Sequence, residues 1–482
     1  MKVNSESIKL NDQQQEALKA MLEGYNVFLT GKAGSGKSLI INEYMRQGKF
    51  NTVILAPTGA AALLVGGSTI HSFFQLPIGV ITPDNIPVLD LKQIKMLSFV
   101  ETIIIDEVSM LRVDIFEGID RLLKKYASSS KKHLPMGGKR IIVVGDFLQL
   151  PAFAKEKEVQ KYLTDTYGGL QAFRAPAWKE AGFKEFCLET VFRQNDDTYL
   201  EILNAVRMGE TTYWEKQLIA EYYRKPDVYV SNEFCHLDTL NNICYRPEQQ
   251  VSYDSVCLCA TNKMADMINT NAHAQLPGDG TTLTGKIKGE FPAKDLPVPL
   301  NLELKMGTKV MLRANKFAPA NGGFEYVNGD IGTVVGIYSG TTPKVEVKLM
   351  NGHVVRVSQS SWSNYKYKLK TDADGKQKIT QVEIGSYYQL PISLAWGISI
   401  HKSQGLTLNK AHIILGDKPC FCPGQLYVAL SRVKSLKNLS TDRPIYSEDI
   451  IVDPEAIKLY KALAPEEAEK EQEYDEDSIC II

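Results

Sequence analysis

The chain has 482 residues, 44% of them hydrophobic and 23% charged, with 55 Lys and Arg against 56 Asp and Glu. These fractions exclude a largely disordered, collagen-like or coiled-coil chain, and the length predicts two to four domains of about 100–200 residues each. No run approaches the roughly 18 apolar residues of a membrane span. The polar start of the chain lacks the apolar core of a secretory signal. We therefore expect a soluble cytoplasmic protein.

The net charge of −1 is unevenly distributed along the chain. Residues 465–482 hold eight acidic side chains against Lys470, a net of −7, which leaves residues 1–464 at +6. A mildly basic body is compatible with a polyanionic partner without requiring one. The tail is predicted to be disordered. The alternative is that its negative charges mimic DNA and inhibit the protein itself.

The first apolar run, Asn26–Thr30, leads into a Gly-x4-Gly-Lys-Ser loop and then a helical stretch. This spacing lets backbone N–H groups surround a phosphate at the helix N-terminus. Lys37 would neutralise the β- and γ-phosphates and Ser38 would hold Mg²⁺. The predicted ATP-binding residues of this loop are Gly31, Lys32, Ala33, Gly34, Ser35, Gly36, Lys37 and Ser38.

Three further apolar runs, Thr52–Ala56, Thr102–Ile105 and Arg140–Val144, alternate with helical stretches. Short β-branched runs separated by helices predict an α/β layer with a parallel sheet. Asp106 and Glu107 directly follow the second of these runs, where an aspartate can join a Mg²⁺ shell and a glutamate can polarise water. Gln149 follows the third run, within reach of a γ-phosphate. The alternative is that Asp106 and Glu107 form a solvent-exposed turn without a catalytic role.

Two arginines lie in suggestive places, Arg193 in VFRQ and Arg432 in LYVALSRV. Hydrolysis of ATP needs cationic groups on the transferring phosphoryl group. Each arginine alone is typical of a surface salt bridge. Because one ends each α/β half, a cleft between the halves would bring both to ATP.

The second half of the chain resumes the α/β pattern with runs at Ser255–Ala260 and Ala411–Leu415. Between them, residues 281–391 show short alternating strands with many glycines and prolines, which is typical of a small β-barrel. We predict one α/β domain over residues 1–208 and a second over 209–280 and 392–464, into which the barrel is inserted.

Polar and aromatic side chains after other strands suggest contacts with nucleic acid. Small residues allow backbone N–H groups to approach phosphates, and aromatic rings can stack on bases. A helix N-cap followed by core aromatics is an equally good explanation of the first group. The two groups are Pro57, Thr58, Gly59, Thr69, His71 and Phe73 in the first half, and His401, Lys402, Ser403, Gln404 and Gly405 in the second.

With these motifs the chain resembles a superfamily-one DNA helicase, most of all the Pif (petite integration frequency) family, with RecD-like helicases more distant. LNDQQQEAL resembles an adenine-reading Q motif, which carries over to Gln14. GKAGSGKS, APTGAAALLVGGSTIHSF, IIIDEVSM, GDFLQLP, VFRQ, CATN, AWGISIHKSQGLTL and YVALSRV match further motifs in order. In the segment resembling the family signature, Met136 replaces the usual Phe.

The resemblance implies two RecA-like domains, a wedge insertion near residues 75–95 and a Src-homology-like barrel. It implies ATP and Mg²⁺ as cofactors, with Ser38 and Asp106 on the metal. By the same resemblance Arg193 and Arg432 are arginine fingers and Gln149 senses the γ-phosphate. Gln14, Gln404 and Gly405 join the nucleotide site. The implied DNA contacts are Pro57, Thr58, Gly59, Thr69, His71, Phe73, Asn262, His401, Lys402 and Ser403.

The expected activity is 5′-to-3′ translocation on single-stranded DNA with unwinding of duplexes, forks and G-quadruplexes, in repair, recombination, replication or telomere maintenance. The family suggests a monomer that can dimerise on DNA. About nine residues precede the Q motif, which suggests a bacterial or phage-like version. Two alternatives stay open: a nucleotide kinase or GTPase, whose turnover would be independent of DNA, and a RecD-like subunit that works only with a partner nuclease.

Overall fold

The fold is described by a computed structural model that covers residues 10–47, 51–77, 79–154, 156–194, 196–209, 255–318, 323–371, 377–416 and 420–463. The predicted acidic tail lies outside the described residues, as do residues 210–254 at the start of the predicted second α/β domain. Two parallel sheets and several antiparallel sheets organise the described part of the chain.

The first parallel sheet contains six strands, all from the first half of the chain. They are β1 (Val27–Gly31), β2 (Thr52–Ala56), β3 (Ser68–Thr69), β4 (Thr102–Ile105), β5 (Arg140–Val144) and β6 (Lys184–Leu188). Their order across the sheet is β3-β2-β4-β5-β1-β6. The inner strands are Val- and Ile-rich and almost wholly buried, because helices cover both faces of a parallel sheet. This sheet and its helices are called the first unit below.

Nine α-helices in the described part of the chain belong to the first unit. The first begins at Asn11, whose side chain accepts from the Gln14 backbone N–H, while the Gln14 side-chain oxygen accepts from the Asn11 N–H. This reciprocal cap fixes the Gln14 amide beside the sheet. The helices are α1 (Asp12–Glu23), α2 (Lys37–Gln47), α3 (Gly59–Leu64), α4 (Ile70–Phe74), α5 (Leu91–Phe99), α6 (Val113–Tyr126), α7 (Lys157–Tyr167), α8 (Pro176–Ala181) and α9 (Asp197–Met208).

The remaining strands form the second parallel sheet and the antiparallel sheets. They are β7 (Val256–Cys259), β8 (Thr281–Thr284), β9 (Lys286–Gly289), β10 (Asn301–Leu304), β11 (Lys309–Leu312), β12 (Lys316–Ala318), β13 (Gly323–Tyr326), β14 (Ile331–Tyr338), β15 (Lys344–Leu349), β16 (Val354–Ser358), β17 (Ser360–Thr371), β18 (Gln377–Gln389), β19 (Ile392–Leu394), β20 (Gly397–Ser399), β21 (Ala411–Ile414) and β22 (Leu439–Thr441). The second parallel sheet has the order β20-β7-β21-β22. With α10 (Asn262–Ala274), α11 (Ile400–Ser403) and α12 (Gln425–Leu430), it makes the second unit.

The β-rich insertion consists of antiparallel strands, as the alternating pattern predicts. Its largest sheet has the order β16-β15-β14-β11-β19, and a second one joins β17, β18 and β9. The long hairpin β17–β18 also touches the first unit, where the Ser68 hydroxyl donates to the Tyr365 carbonyl oxygen at 2.9 Å. The domain boundaries and the Src-homology-like form of the insertion stay predictions.

The last described helix, α13 (Pro454–Leu463), returns to the first unit after the chain has built the second. Ala456 and Tyr460 on this helix belong to the same apolar core as Phe116 and Trp178. Arg174 and Glu455 form an ion pair of 3.8 Å beside it. The C-terminal end of the described chain therefore ties the two units together.

Candidate functional site

A cavity of about 540 Å³ lies where the two units meet, and both contribute to its walls. The phosphate loop and the segments that follow β4 and β5 come from the first unit, and Gly405, Thr407 and Arg432 come from the second. The carboxyl ends of parallel strands are the usual place for ligands in open α/β sheets. The predicted catalytic residues that line this cavity are Lys37, Asp106, Glu107, Gln149, Arg193 and Arg432.

The phosphate loop has the backbone form that its glycines permit. Gly34 and Gly36 have φ values of 85° and 87°, and a β-carbon on either would lie 2.7 Å from Arg193 or 2.6 Å from Gln14. Gln14 donates from its side-chain amide to the Ser35 carbonyl oxygen at 3.1 Å, and this hydrogen bond stabilises the loop. The predicted adenine-reading residue is thus beside the loop.

The loop residues are suited to a nucleotide phosphate. The Lys37 ammonium donates to the carbonyl oxygens of Gly31 and Lys32 at 2.7 and 3.1 Å, across the mouth of the loop. Burial lowers the pKa of Lys37, which nearby carboxylates oppose. The buried Ser35 hydroxyl has no hydrogen-bond partner. An anion at this point would accept from the Ser35 hydroxyl and would give the buried Lys37 ammonium a counter-charge.

The acidic pair follows β4 at the centre of the cavity. Asp106 accepts from the Glu107 N–H at 2.9 Å, and Glu107 adopts a left-handed conformation with a φ of 53°. Burial and the neighbouring Asp106 raise the pKa of Glu107 to about 7, against the opposing charges of Lys37 and Arg432. Burial also raises the pKa of Asp106. A carboxyl group poised near neutral pH is suited to general base catalysis.

Mg²⁺ prefers hard oxygen ligands in octahedral geometry and in nucleotide sites takes few from the protein. Ser38 and Asp106 both line the cavity, on the loop side and the strand side. Among the described residues, His, Cys, Asp and Glu form no cluster of three or more that could hold a metal by themselves. The donor set therefore fits an ion shared with phosphate oxygens and water.

Arg432 is fully buried in the wall formed by the second unit, with 1% of its surface exposed. Its guanidinium donates to the carbonyl oxygens of Val428, Ser403 and Leu406 at 2.7 to 3.3 Å, and to the Ser431 hydroxyl. Burial and the nearby Arg193 lower the pKa of Arg432 to about 9. A buried cation held by neutral acceptors gains much from an anion placed beside it.

Several hydrogen bonds between described residues cross between the units at and around the cavity. Gln404 donates from its side-chain amide to the Glu107 carboxylate at 2.9 Å. The Ala33 N–H donates to the Tyr427 hydroxyl at 3.0 Å, and Arg193 donates to the Ser431 carbonyl oxygen at 3.3 Å. The geometry of the acid pair and of the loop therefore depends on how the second unit is placed.

The predicted DNA-contact residues of the first unit lie beyond the carboxyl ends of β2 and β3. Thr58 and Thr69 each cap a short helix, accepting from Ala61 N–H and Ser72 N–H at 3.2 Å. Pro57 and Gly59 flank the first cap, and the Asp295 carboxylate lies where a β-carbon on Gly59 would point. His71 is half-buried on α4. The helix-cap explanation accounts for both threonines.

Two of the predicted DNA contacts are buried. Phe73 is 8% exposed and packs against Phe74 with ring centroids 4.9 Å apart, so it belongs to the apolar core of the first unit. Ser403 is 0% exposed and donates to the Ile400 carbonyl oxygen at 2.7 Å. Neither side chain presents a surface to a nucleic acid in this structure, and their roles in DNA contact stay predictions.

The other predicted contacts in the second unit are exposed at the carboxyl ends of β7 and β20. His401 and Lys402 lie on the surface of α11, and Asn262 accepts from the Ser399 hydroxyl at 2.7 Å. Gln404 and Gly405 follow directly and reach the cavity, as described above for Gln404. One short segment thus connects an exposed polar surface to the acidic pair.

Sequence reasoning missed two side chains at this site. Phe192 is 56% exposed, lines the cavity and lies near Gln14 at the outer end of the phosphate loop. An aromatic residue directly before Arg193 was a weak signal for it. Arg207 is 1% exposed and forms a buried ion pair with Asp146. Its signal is a charged residue within the apolar pattern of α9.

The profile of the PIF1-like helicase family matches residues 9–216. A curated relative, the ATP-dependent DNA helicase Pif1 of Bdellovibrio bacteriovorus, is 34% identical over 460 residues, covering 94% of this chain and 92% of the relative. The chain belongs to the PIF1-like helicase family. The human ATP-dependent DNA helicase PIF1 is 28% identical over 94% of this chain, and the chain spans 64% of that longer protein.

Solved Pif1 structures support the same assignment. A Bacteroides Pif1 in complex with ADP-AlF4 has a TM-score of 0.80 and 32% identity, covering 95% of this chain and 98% of the other. The Bacteroides Pif1 with ADP-AlF3 and single-stranded DNA has the same identity and coverage but a TM-score of 0.62. The family resemblance and the RecA-like helicase fold predicted from sequence are confirmed. No helix in the described part of the chain is long and apolar enough to span a bilayer.

Proposed function

We propose that this member of the PIF1-like helicases hydrolyses ATP with Mg²⁺ in the cavity between its two units and moves 5′-to-3′ along single-stranded DNA. The chain is an ATP-dependent DNA helicase by its family. One observation supports the proposed site of hydrolysis: the phosphate loop, the acidic pair and two arginines from opposite units line a single cavity. That arrangement makes hydrolysis depend on the distance between the units. The proposed 5′-to-3′ direction rests on the family resemblance alone.

Each group of residues in the cavity has its own proposed role in ATP hydrolysis. Backbone N–H groups of the phosphate loop and Lys37 bind the phosphates, and Ser38 and Asp106 hold Mg²⁺. Glu107, with its pKa raised to about 7, accepts a proton from the attacking water. Arg193 and Arg432 stabilise charge that develops on the transferring phosphoryl group. Gln149 contacts the γ-phosphate and reports its presence.

The coupling to DNA is proposed to run through the Gln404 segment. Gln404 donates to Glu107, and His401 and Lys402, three and two residues earlier, lie on the surface. A shift of this segment on DNA would move the hydrogen bond on the catalytic carboxylate. ATP can drive movement only if the DNA contacts differ between nucleotide states. DNA-dependent turnover is therefore expected, and its observation would exclude the nucleotide kinase and GTPase alternatives.

The decisive experiment measures strand separation with ATP and Mg²⁺ on matched partial duplexes that carry a 5′ or a 3′ single-stranded tail. The proposal expects unwinding of the 5′-tailed substrate alone. Preference for the 3′ tail would overturn the polarity and leave the helicase assignment intact. Unwinding by the purified chain would also exclude obligate dependence on a partner nuclease.

Lys37→Ala is the matched control for the motor. It removes the ammonium that spans the phosphate loop and should abolish both turnover and unwinding. Unwinding by this variant with ATP would refute the assignment of the cavity. Replacing the tailed duplex by a folded G-quadruplex, and following its opening and the mass of the complex on DNA, tests two further proposals. These are G-quadruplex resolution and dimer formation on DNA.

A further inference from the structure

Asp146 lines the nucleotide cavity, and its carboxylate accepts four hydrogen bonds. Its carboxylate accepts from Arg207 Nε and Nη2 at 3.3 and 3.1 Å, from the Leu148 N–H at 3.1 Å, and from the Gln149 side-chain amide at 3.2 Å. Gln149 also donates its backbone N–H to the Asp146 carbonyl oxygen at 2.9 Å. The orientation of Gln149 is therefore set by Asp146.

Arg207 in turn sets the orientation and charge of Asp146. Both side chains of this pair are at most 1% exposed, so the two ions depend on each other for solvation. Burial opposes the charged form of Asp146, but Arg207 and Lys37 more than offset it and lower its pKa. Burial opposes the charged form of Arg207 as well, and Asp146 raises its pKa. Both groups thus remain ionised in the core.

The pair is held from a third direction by the end of the described chain. The Arg207 guanidinium lies over the Tyr460 ring with 4.0 Å between its central carbon and the ring centroid. Tyr460 belongs to α13, which follows the second unit yet packs in the core of the first. A cation over an aromatic face is attracted to it, and more strongly where water is excluded. One guanidinium therefore links α9, α13 and the segment after β5.

We propose that Arg207 is a positioning residue for ATP hydrolysis, which orients Gln149 through the Asp146 carboxylate and connects that orientation to the C-terminal helix α13. It also neutralises a carboxylate that would otherwise repel the triphosphate, because Asp146 lines the nucleotide cavity. The inference rests on the proposed contact between Gln149 and the γ-phosphate. It adds a route by which a displacement of α13 changes turnover without touching ATP.

Arg207→Met tests the proposal in the full-length chain. Misplacing Gln149 should lower kcat for DNA-stimulated ATP hydrolysis by about 10- to 100-fold, and the unpaired Asp146 should raise KM for ATP. The KM should recover as the pH falls from 8 to 6, because an unpaired buried carboxyl has a raised pKa and becomes neutral. In Asp146→Asn/Arg207→Met, the KM should match that of the parent at each pH, with kcat still low. A purely structural role for Arg207 would show no such pH dependence.

Controls separate the outcomes. Arg174→Met removes the ion pair with Glu455 on the same helix and should leave kcat and KM unchanged. If Arg207→Met fails to fold, Arg207→Lys keeps the charge, and a parental KM with kcat lowered about tenfold is expected. If a folded Arg207 variant keeps the kcat of the parent while Gln149→Ala is impaired, the inference about Arg207 is refuted and the proposed role of Gln149 stands. If Gln149→Ala is also unimpaired, the proposed role of Gln149 falls with it.

Discussion

Glu107 is expected to lower the stability of the folded protein at the pH where it is catalytically competent. Its pKa is raised from 4.5 to about 7, chiefly by burial and then by Asp106. For a group whose folded pKa is raised, stability is greatest at low pH and is lost as the pH rises through the folded value. The shift corresponds to a cost of about 3 kcal/mol at pH 8 and about 1 kcal/mol at pH 5.

Glu107→Gln removes the charge and keeps an oxygen that can accept from Gln404. We expect this variant to lose turnover and yet to unfold at higher urea concentration at pH 8, with most of that gain absent at pH 5. In the parent, kcat/KM should fall about tenfold between pH 8 and pH 6, since it follows ionisation in the free enzyme.

The reasoning would be refuted by an equal change in the free energy of unfolding at both pH values. It would also be refuted by a kcat/KM that is flat across this range. Asp106→Asn is the comparison variant for unfolding: without the Asp106 charge the pKa of Glu107 should fall, so the free energy of unfolding should depend less on pH than in the parent.

Three further substitutions address other parts of the molecule. Arg432→Ala should leave ATP binding unchanged, as measured with a fluorescent analogue, while turnover falls by about 1,000-fold. Unchanged turnover would contradict the role of Arg432 as an arginine finger. Phe192→Ala should raise the KM for ATP about tenfold by loss of stacking on the base, whereas Phe192→Trp should not, and equal effects of the two would exclude stacking. Val88 and Leu91 are each 84% exposed within the predicted wedge. Replacing both by Ser should slow unwinding of tailed duplexes without changing DNA-stimulated ATP hydrolysis, and a parallel loss of both activities would contradict the wedge assignment.

The parallel sheets could be predicted because their strands leave few alternatives. Runs such as Thr52–Ala56 and Thr102–Ile105 are apolar throughout, so they must be buried on both faces, and the structure places them with those bounds. The long hairpin β17–β18 could not be predicted in the same way. Its segment around Tyr365 mixes Lys, Tyr and Ser, and its position depends on contact with Ser68, almost 300 residues earlier.

The residues of the site also differ in how well the sequence predicts them. The phosphate loop is defined by spacing within eight residues, so its members could be read directly from the sequence. The burial of Phe73 and Ser403 could not be predicted, because short motifs do not tell which side of a helix faces the core. The role of Arg207 depends on Asp146 and Tyr460, which are distant in sequence and adjacent only in the fold.

Contacts between the insertion and the first unit cover part of the surface that holds the predicted DNA residues. Here Asp295 of the insertion lies against Gly59, and β17 contacts Ser68. A phosphate cannot occupy the space beside Gly59 while a carboxylate is there. We therefore propose that binding of DNA to this face, as predicted for Gly59, is accompanied by movement of the insertion away from α3.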